Sequence, residues 1–468
     1  MGSCYARLKK EWLLRGWSDL PWALVNWRNG DFRELAKDAF YVAQSCDGVT
    51  DFESMAFLPR HTAILDKLIA EGVAEECKFG ETLEYGQAYR KADNPMIRGL
   101  LWSITGLCNM KCRHCFMEAS SQRFGDFSID EIWDLINQFE QANVSEIAIT
   151  GGEPFMRKEL PEILETLTLK KIGLAEIFTN GMLVTDKILE TIKLSGNRPF
   201  FKISFDGCGT HDYMRGVVDS EVMVIEGIKR VKAWGFPFTI ITSVDRITQI
   251  NLMETYDLMK ELEVDEWWLA PPVEVGHWRD SDSNVSLEDM VDLCTRLLQR
   301  WLADDRPFNI KLWRFGLFRR AENGENLNIQ SSITPDSWNC AGTHSRPYLL
   351  PDGTLLPCGG YTGTSLLEKM PNLKKQSLSQ AWTNSALRHI CDLKKRDVLA
   401  HNKGCDGCQY FAACGSGCRV IALGEKGDLL AKDPVACLLF KGGYIERLQE
   451  LAKQANYNDQ QKNVISQE

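Results

Sequence analysis

Several absences narrow the field before any motif is read. Nowhere in the 468 residues does an apolar run approach the roughly 18 residues of a membrane span. The N-terminus lacks the basic start, apolar stretch and small-residue cleavage site of a secretion signal. Ala6 also stands where a myristoylation signal has Ser or Thr. A cytoplasmic protein with no membrane partner is expected. Positive charge is short as well: Lys and Arg total 54 against 64 for Asp and Glu, a net charge of −10. A nucleic-acid binder needs a basic face to neutralise phosphates, so no nucleic-acid partner is expected either. No internal repeat stands out. What remains is a globular chain with 44% apolar and 25% charged residues. It is too long for one core, so two or three domains are expected.

Cysteine is the component in excess. Sixteen are present, and in a reducing compartment clustered cysteines suggest metal binding or catalysis more than disulfides.

The first hundred residues read as a separate small unit. Two apolar stretches, 22–27 and 32–35, flank Asn29-Gly30-Asp31, a hairpin signal. Helices are expected after Thr50-Asp51-Phe52-Glu53, taken as a capping box, and from His61 to a stop at Gly72. The four tryptophans Trp12, Trp17, Trp22 and Trp27 are read as this unit's core. From about residue 98 short apolar runs alternate with helical patterns. Strands are expected at 100–105, 146–150, 175–179, 200–205, 238–244 and 266–269. Helices are expected to start near Ser128, Glu159, Thr185, Ser220 and Asn251. Six strand–helix units in series predict a parallel sheet curled into a barrel. An acidic connector near 279–289 leads into one more helix, and after about Asp336 the chain turns loop-rich and Cys-rich.

Cys108, Cys112 and Cys115 follow the first barrel strand in Cys-Asn-Met-Lys-Cys-Arg-His-Cys. Three thiolates on one loop suit three irons of a [4Fe–4S] cube and leave the fourth iron open. Structural zinc wants four closed ligands, which the loop does not supply. The spacing resembles that of the radical S-adenosylmethionine (SAM) superfamily, with His114 at the position expected near the adenine. Further pieces match that family in order. Gly151-Gly152-Glu153 ends the second strand, Thr179-Asn180-Gly181 the third, and Ser204-Phe205-Asp206-Gly207 the fourth. The resemblance covers about residues 98–275. It implies cofactor contacts from His114, Gly151, Gly152, Glu153, Asn180, Ser204 and Asp206, the glycines letting backbone approach the ligand.

A second array runs Cys340, Gly353, Cys358, Cys405, Cys408, Cys414, Cys418 and Cys437. Its order resembles the SPASM domain, which carries auxiliary [4Fe–4S] clusters. That resemblance implies one cluster on Cys405, Cys408, Cys414 and Cys437, and another on Cys340, Cys358 and Cys418. The second set is one ligand short, leaving an open iron or a non-Cys ligand such as Asp336. A zinc ribbon on Cys405, Cys408, Cys414 and Cys418 strands the other three. The six remaining cysteines are assigned to core or surface, Cys391 being the one to watch.

The N-terminal hairpin and helices resemble the leader-recognition element of ribosomal peptide maturases, a winged-helix-like unit that takes an extended leader as an added strand. The expected fold is therefore α/β: a partial (β/α)6 TIM-like barrel at 96–275 behind a winged-helix-like α+β unit at 1–95. A helical connector at 276–335, a Cys-rich iron–sulfur domain at 336–440 and a polar tail at 441–468 complete it. The expected cofactors are SAM and three [4Fe–4S] clusters, one of them SAM-binding. The expected function is modification of a precursor peptide by a 5′-deoxyadenosyl radical, through thioether or C–C cross-linking, with flavodoxin or ferredoxin as reductant. The rivals are a relative acting on a sulfatase, a haem precursor or another small molecule, and a zinc-binding scaffold. No catalytic side chain is assigned.

Overall fold

The computed structural model describes residues 4–54, 56–279, 281–320 and 334–453. The polar tail from 454 therefore lies outside the described residues, as does 321–333 of the expected connector. The first unit contributes β1 (Tyr5–Leu8), β2 (Trp12–Gly16), β3 (Ala23–Asn26), β4 (Phe32–Glu34), β5 (Ala74–Cys77) and β6 (Arg90–Lys91). β1 pairs with β5, and β4-β3-β2-β6 form a four-stranded sheet. The expected hairpin is the antiparallel pair β3–β4. Trp12, Trp17 and Trp27 are buried, and Trp22 stacks on Phe40. The helix expected after Thr50 does not form. Asp47 Oδ1 accepts from Val49 N and Thr50 N, and Asp51 Oδ1 from Cys4 N and Glu53 N, so both carboxylates close turns. The second helix begins instead at Pro59, a residue suited to the first turn, and ends at Ala70, before Gly72 at φ +70°.

The barrel strands are β7 (Gly99–Ser103), β8 (Glu146–Thr150), β9 (Gly173–Thr179), β10 (Phe200–Ser204), β11 (Phe238–Ser243) and β12 (Glu266–Ala270). All six expected strands are present and pair in parallel in chain order. The helix after Ser128 starts on a capping box with Glu131. The expected connector turns out to be partly sheet. After the helix Leu287–Ala303, β13 (Asn309–Leu312) adds a seventh parallel strand and β14 (Gly316–Phe318) folds back antiparallel. At the other edge β15 (Tyr348–Leu349) runs parallel to β7 and turns into β16 (Leu355–Leu356). The outer face of the sheet packs on the helices through side chains such as Trp102, Phe201, Ile203 and Trp267, all fully buried. Each is worth about 1.5–3 kcal/mol relative to exposure.

The N-terminal unit sits where the strands begin. Trp17 Nε1 donates to Ala142 O at 3.1 Å, and Asn143 Nδ2 donates to Gly16 O and Arg90 O, both at 3.0 Å. Gly173 lies so close to Trp27 that a Cβ would come within 1.9 Å of its carbonyl oxygen. Residues 142–143 and 173 precede or open β8 and β9, so the unit closes the end opposite the strands' C-termini. No helix among the described residues is long and apolar enough to cross a membrane.

Candidate functional site

The C-terminal strand ends converge on the loop carrying Cys108, Cys112 and Cys115, and three neighbours grip it. From the end of β8, Gly152 N donates to Thr105 O at 2.9 Å and Glu153 N to Leu107 O at 2.8 Å. A Cβ on Gly152 would meet Leu107 O at 2.1 Å and Cys108 Cβ at 3.1 Å; one on Gly151 (φ +148°) would meet Thr105 O at 2.5 Å. The close approach that demands these glycines is thus to the protein's own cysteine loop. From the helix His211–Arg215, Met214 O and Arg215 O accept from Arg113 N and Lys111 N. From the turn Gly276–Trp278, His277 N donates to Cys115 O at 3.1 Å, and its ring nitrogen Nδ1 lies 3.2 Å from Cys112 O.

Each of the three sulfurs receives a close N–H, and Cys108 Sγ a second, longer one from Asn180 Nδ2 at 4.0 Å. Met110 N donates to Cys108 Sγ and Ala119 N to Cys115 Sγ, both at 3.4 Å, and Arg215 Nη1 to Cys112 Sγ at 3.6 Å. Burial pushes the Cys108 thiol up to about 12 and raises that of Cys112, against the nearby Arg215 charge in the latter case. Donors aimed at sulfur suit thiolate ligands. His114 is half-buried with its Nδ1 buried and unpartnered, and burial holds the ring neutral.

Glu153 is fully buried. Its Oε1 accepts from Thr179 Oγ1 (2.8 Å) and its Oε2 from Asn180 N (2.7 Å), while burial raises its pKa to about 7. Asn180 Nδ2 in turn donates to Asn109 Oδ1 at 2.7 Å, so Glu153 and Asn180 tie β9 to the cysteine loop. Asp206, at 0% exposure, pairs with Arg215 Nε at 2.6 Å and accepts from Ser243 N at 2.9 Å. It anchors Arg215 beside Cys112 rather than facing open space. Ser204 ends β10 half-buried.

Beneath Ser204 on the same face of β10 lies a charged layer that sequence reasoning missed. Lys202 Nζ donates to Thr239 Oγ1 (3.0 Å) and lies 3.8 Å from Glu176. Lys202 and Lys311 both sit on the Trp268 ring, 4.2 and 3.6 Å from its centroid, and Glu266 bonds the indole N–H. Burial lowers both lysine pKa values, and the nearby Glu176 and Glu266 oppose that shift. Arg215 and these lysines had no local motif to announce them; only the period-two pattern of their strands bears on the lysines.

The C-terminal cysteines line two cavities. One, of about 370 Å³, is lined by Cys340, Cys358, Cys418 and Cys414 with Asn339, Tyr361 and Arg314. The other, about 30 Å³, is lined by Cys405, Cys408, Cys414 and Cys437. All sixteen cysteines are free of disulfides. Among the described residues no three Cys, His, Asp or Glu side chains close on one point as the ligands of a single ion do. Asp336 does not line the larger cavity: its carboxylate is exposed and pairs with Arg396 at 2.7 Å. The fourth-ligand expectation for it is therefore withdrawn.

Residues 102–259 match the radical SAM superfamily. This chain carries a radical SAM domain. Radical SAM chemistry implies a [4Fe–4S] cluster and SAM, and the chain is an enzyme of that kind. Over 357 residues the chain is 26% identical to an AdoMet-dependent heme synthase of Nitratidesulfovibrio vulgaris, covering 73% of this chain and 92% of that protein. It is 29% identical over 170 residues to the subtilosin biosynthesis protein AlbA of Bacillus subtilis, 36% of this chain and 37% of that one. In fold it is similar to SuiB of Streptococcus suis, whose crystal structure is solved with the precursor peptide SuiA. There the TM-score is 0.64 at 17% identity, over 92% of this chain and 99% of that one. The radical SAM domain lies in a mixed α/β fold with a large parallel sheet and a Cys-rich C-terminus.

Proposed function

We propose that this radical SAM enzyme matures a ribosomally made precursor peptide by oxidative cross-linking. The observation that carries this is the N-terminal α+β unit built onto the barrel. The match to SuiB omits less than a tenth of the chain, too little to leave out its first 95 residues. That protein is known bound to a precursor peptide, and the shorter match to the subtilosin protein points the same way.

In this reading Cys108, Cys112 and Cys115 hold the SAM-binding cluster. His114, the Gly151–Gly152 turn, Glu153, Asn180 and Ser204 border the SAM, with Asp206 acting through Arg215. When bound, cluster and SAM supply the 5′-deoxyadenosyl radical that takes a hydrogen atom from the substrate. The chain does the rest. Arg215 keeps positive charge against Cys112, and Glu153 fixes the β9 end. Cys405, Cys408, Cys414 and Cys437 enclose one auxiliary cluster. Cys340, Cys358 and Cys418 would hold the other, a set one cysteine short that leaves a position for a non-cysteine ligand.

The leader unit lies at the far end of the barrel from this chemistry. The peptide must therefore carry a spacer that spans a five-residue strand, roughly 17 Å. The similarity to heme synthases favours a second reading, a haem precursor as substrate. Anaerobic co-expression with the peptide encoded beside this gene, followed by intact mass, separates the two. Loss of two hydrogen atoms per bond formed supports the first. An unchanged peptide together with turnover of a haem precursor establishes the second.

A further inference from the structure

Lys395 is 5% exposed at the start of the helix Lys395–His401, and among the described residues no carboxylate pairs with it. Its ammonium donates to Gly415 O at 2.6 Å and to Asn339 Oδ1 at 3.3 Å. Gly415 follows Cys414, and Asn339 precedes Cys340, so one side chain bridges the two cysteine sets. The backbone reinforces the placement: Asn339 N donates to Leu393 O (2.7 Å) and Lys395 N to Ser337 O (3.0 Å), zipping residues 393–395 to the segment that ends at Cys340. Burial, with the neighbouring Arg419, pushes its pKa down to about 8. The sulfurs of Cys414, Cys340 and Cys418 pull the other way.

A buried ammonium without a counter-charge is costly, and the two carbonyl oxygens that accept from it carry only partial charge. The negative charge that offsets this cost is the thiolate charge of the cysteine sets. We propose that Lys395 is a positioning residue shared by both auxiliary clusters. Its ammonium ties the Cys340 segment to the Cys414 turn and stabilises an added electron on either cluster, so that both accept electrons more readily. The inference rests on the auxiliary-cluster reading of the preceding section.

The test uses the full chain reconstituted anaerobically, with iron and sulfide assayed and the clusters followed by EPR during redox titration. Lys395→Gln keeps a hydrogen-bond donor and removes the charge; Lys395→Arg keeps the charge. In Lys395→Gln the ratio of reduced to oxidised auxiliary cluster at a fixed potential falls at least tenfold, about 59 mV for one electron. The Cys108 cluster is unmoved, and Lys395→Arg stays near wild type. Wild-type auxiliary midpoints in Lys395→Gln overturn the proposal. If Lys395→Gln loses auxiliary iron, Lys395→Arg decides: full iron with wild-type midpoints upholds it, and loss of iron there as well overturns it. About four irons in the wild-type chain, one cube's worth, overturn the auxiliary-cluster reading itself and this inference with it.

Discussion

Cys108, Cys112 and Cys115 lie within eight residues of one another, whereas Cys340 to Cys437 span nearly a hundred. The short loop is gripped by the β8 end, the helix His211–Arg215 and the turn at His277, and every sulfur has its own N–H donor. The C-terminal array hangs instead on a few long-range tethers, chief among them Lys395 and Asp433. The buried Asp433 accepts from Cys418 N and pairs with Arg314 at 2.6 Å. Cys340 and Cys418 are exposed there, while no cysteine of the loop is. The contrast teaches what each site is built for. A tightly held loop keeps its three cysteines in one geometry, whereas the C-terminal cysteines border a cavity that other residues line as well.

The sharpest break of this comparison replaces whole sets. Cys108→Ala/Cys112→Ala/Cys115→Ala is expected to abolish 5′-deoxyadenosine formation and reduce iron from about twelve to about eight per chain. Replacing Cys405, Cys408 and Cys437 instead is expected to leave SAM cleavage measurable while product disappears. Equal loss of cleavage in both would erase the functional difference drawn here.

Next in size is Arg215→Met. It strands the fully buried Asp206 and removes the donor to Cys112, and breaking such a pair costs about 3–5 kcal/mol. A lower midpoint in denaturant together with poor loading of the first cluster is the expected result. Adding Asp206→Asn, which removes the unpaired charge and still accepts from Ser243 N, is expected to recover most of the stability but not the loading. Full recovery of both would make Arg215 merely structural. A smaller effect is expected for Gly152→Ala. The new methyl meets Leu107 O and Cys108 Cβ, an overpacking cost of about 1–3 kcal/mol, read as slower SAM cleavage with the auxiliary irons intact.

The two sites were unequally legible in the sequence for the same reason. The first is local: strand, loop and Gly-Gly-Glu all announce themselves within short windows, and the six barrel strands showed as apolar runs because helices cover their outer faces. The second is assembled from segments that meet only in three dimensions. Its order was readable as a resemblance, but Lys395, Asp433 and Tyr361 carry no spacing signal. β13 went unread because Lys311 and Asn309 interrupt an apolar run, and they do so because they face the barrel interior. β15 and β16, two residues each, are too short for any periodicity. The misread capping box at Thr50 shows the opposite failure, since Ser, Thr and Asp close turns with the same side-chain bonds that cap helices.

Cys391 gives the finest discrimination between a cysteine that belongs to an array and one that merely adjoins it. It ends the helix Ser385–Cys391 at 1% exposure, and burial raises its thiol to about 12, with Cys358 and Cys340 among the groups acting on it. It does not line the cavity that Cys340, Cys358 and Cys418 share, although Ile390 does. The helix thus turns Ile390 toward the cavity and Cys391 into the core. Cys391→Ala is accordingly expected to cost about 1 kcal/mol, the worth of a small buried group, and to leave iron content and the auxiliary EPR signals unchanged. Loss of iron in this variant alone would make Cys391 the missing fourth ligand. The open position at the near cluster would then have to be given up.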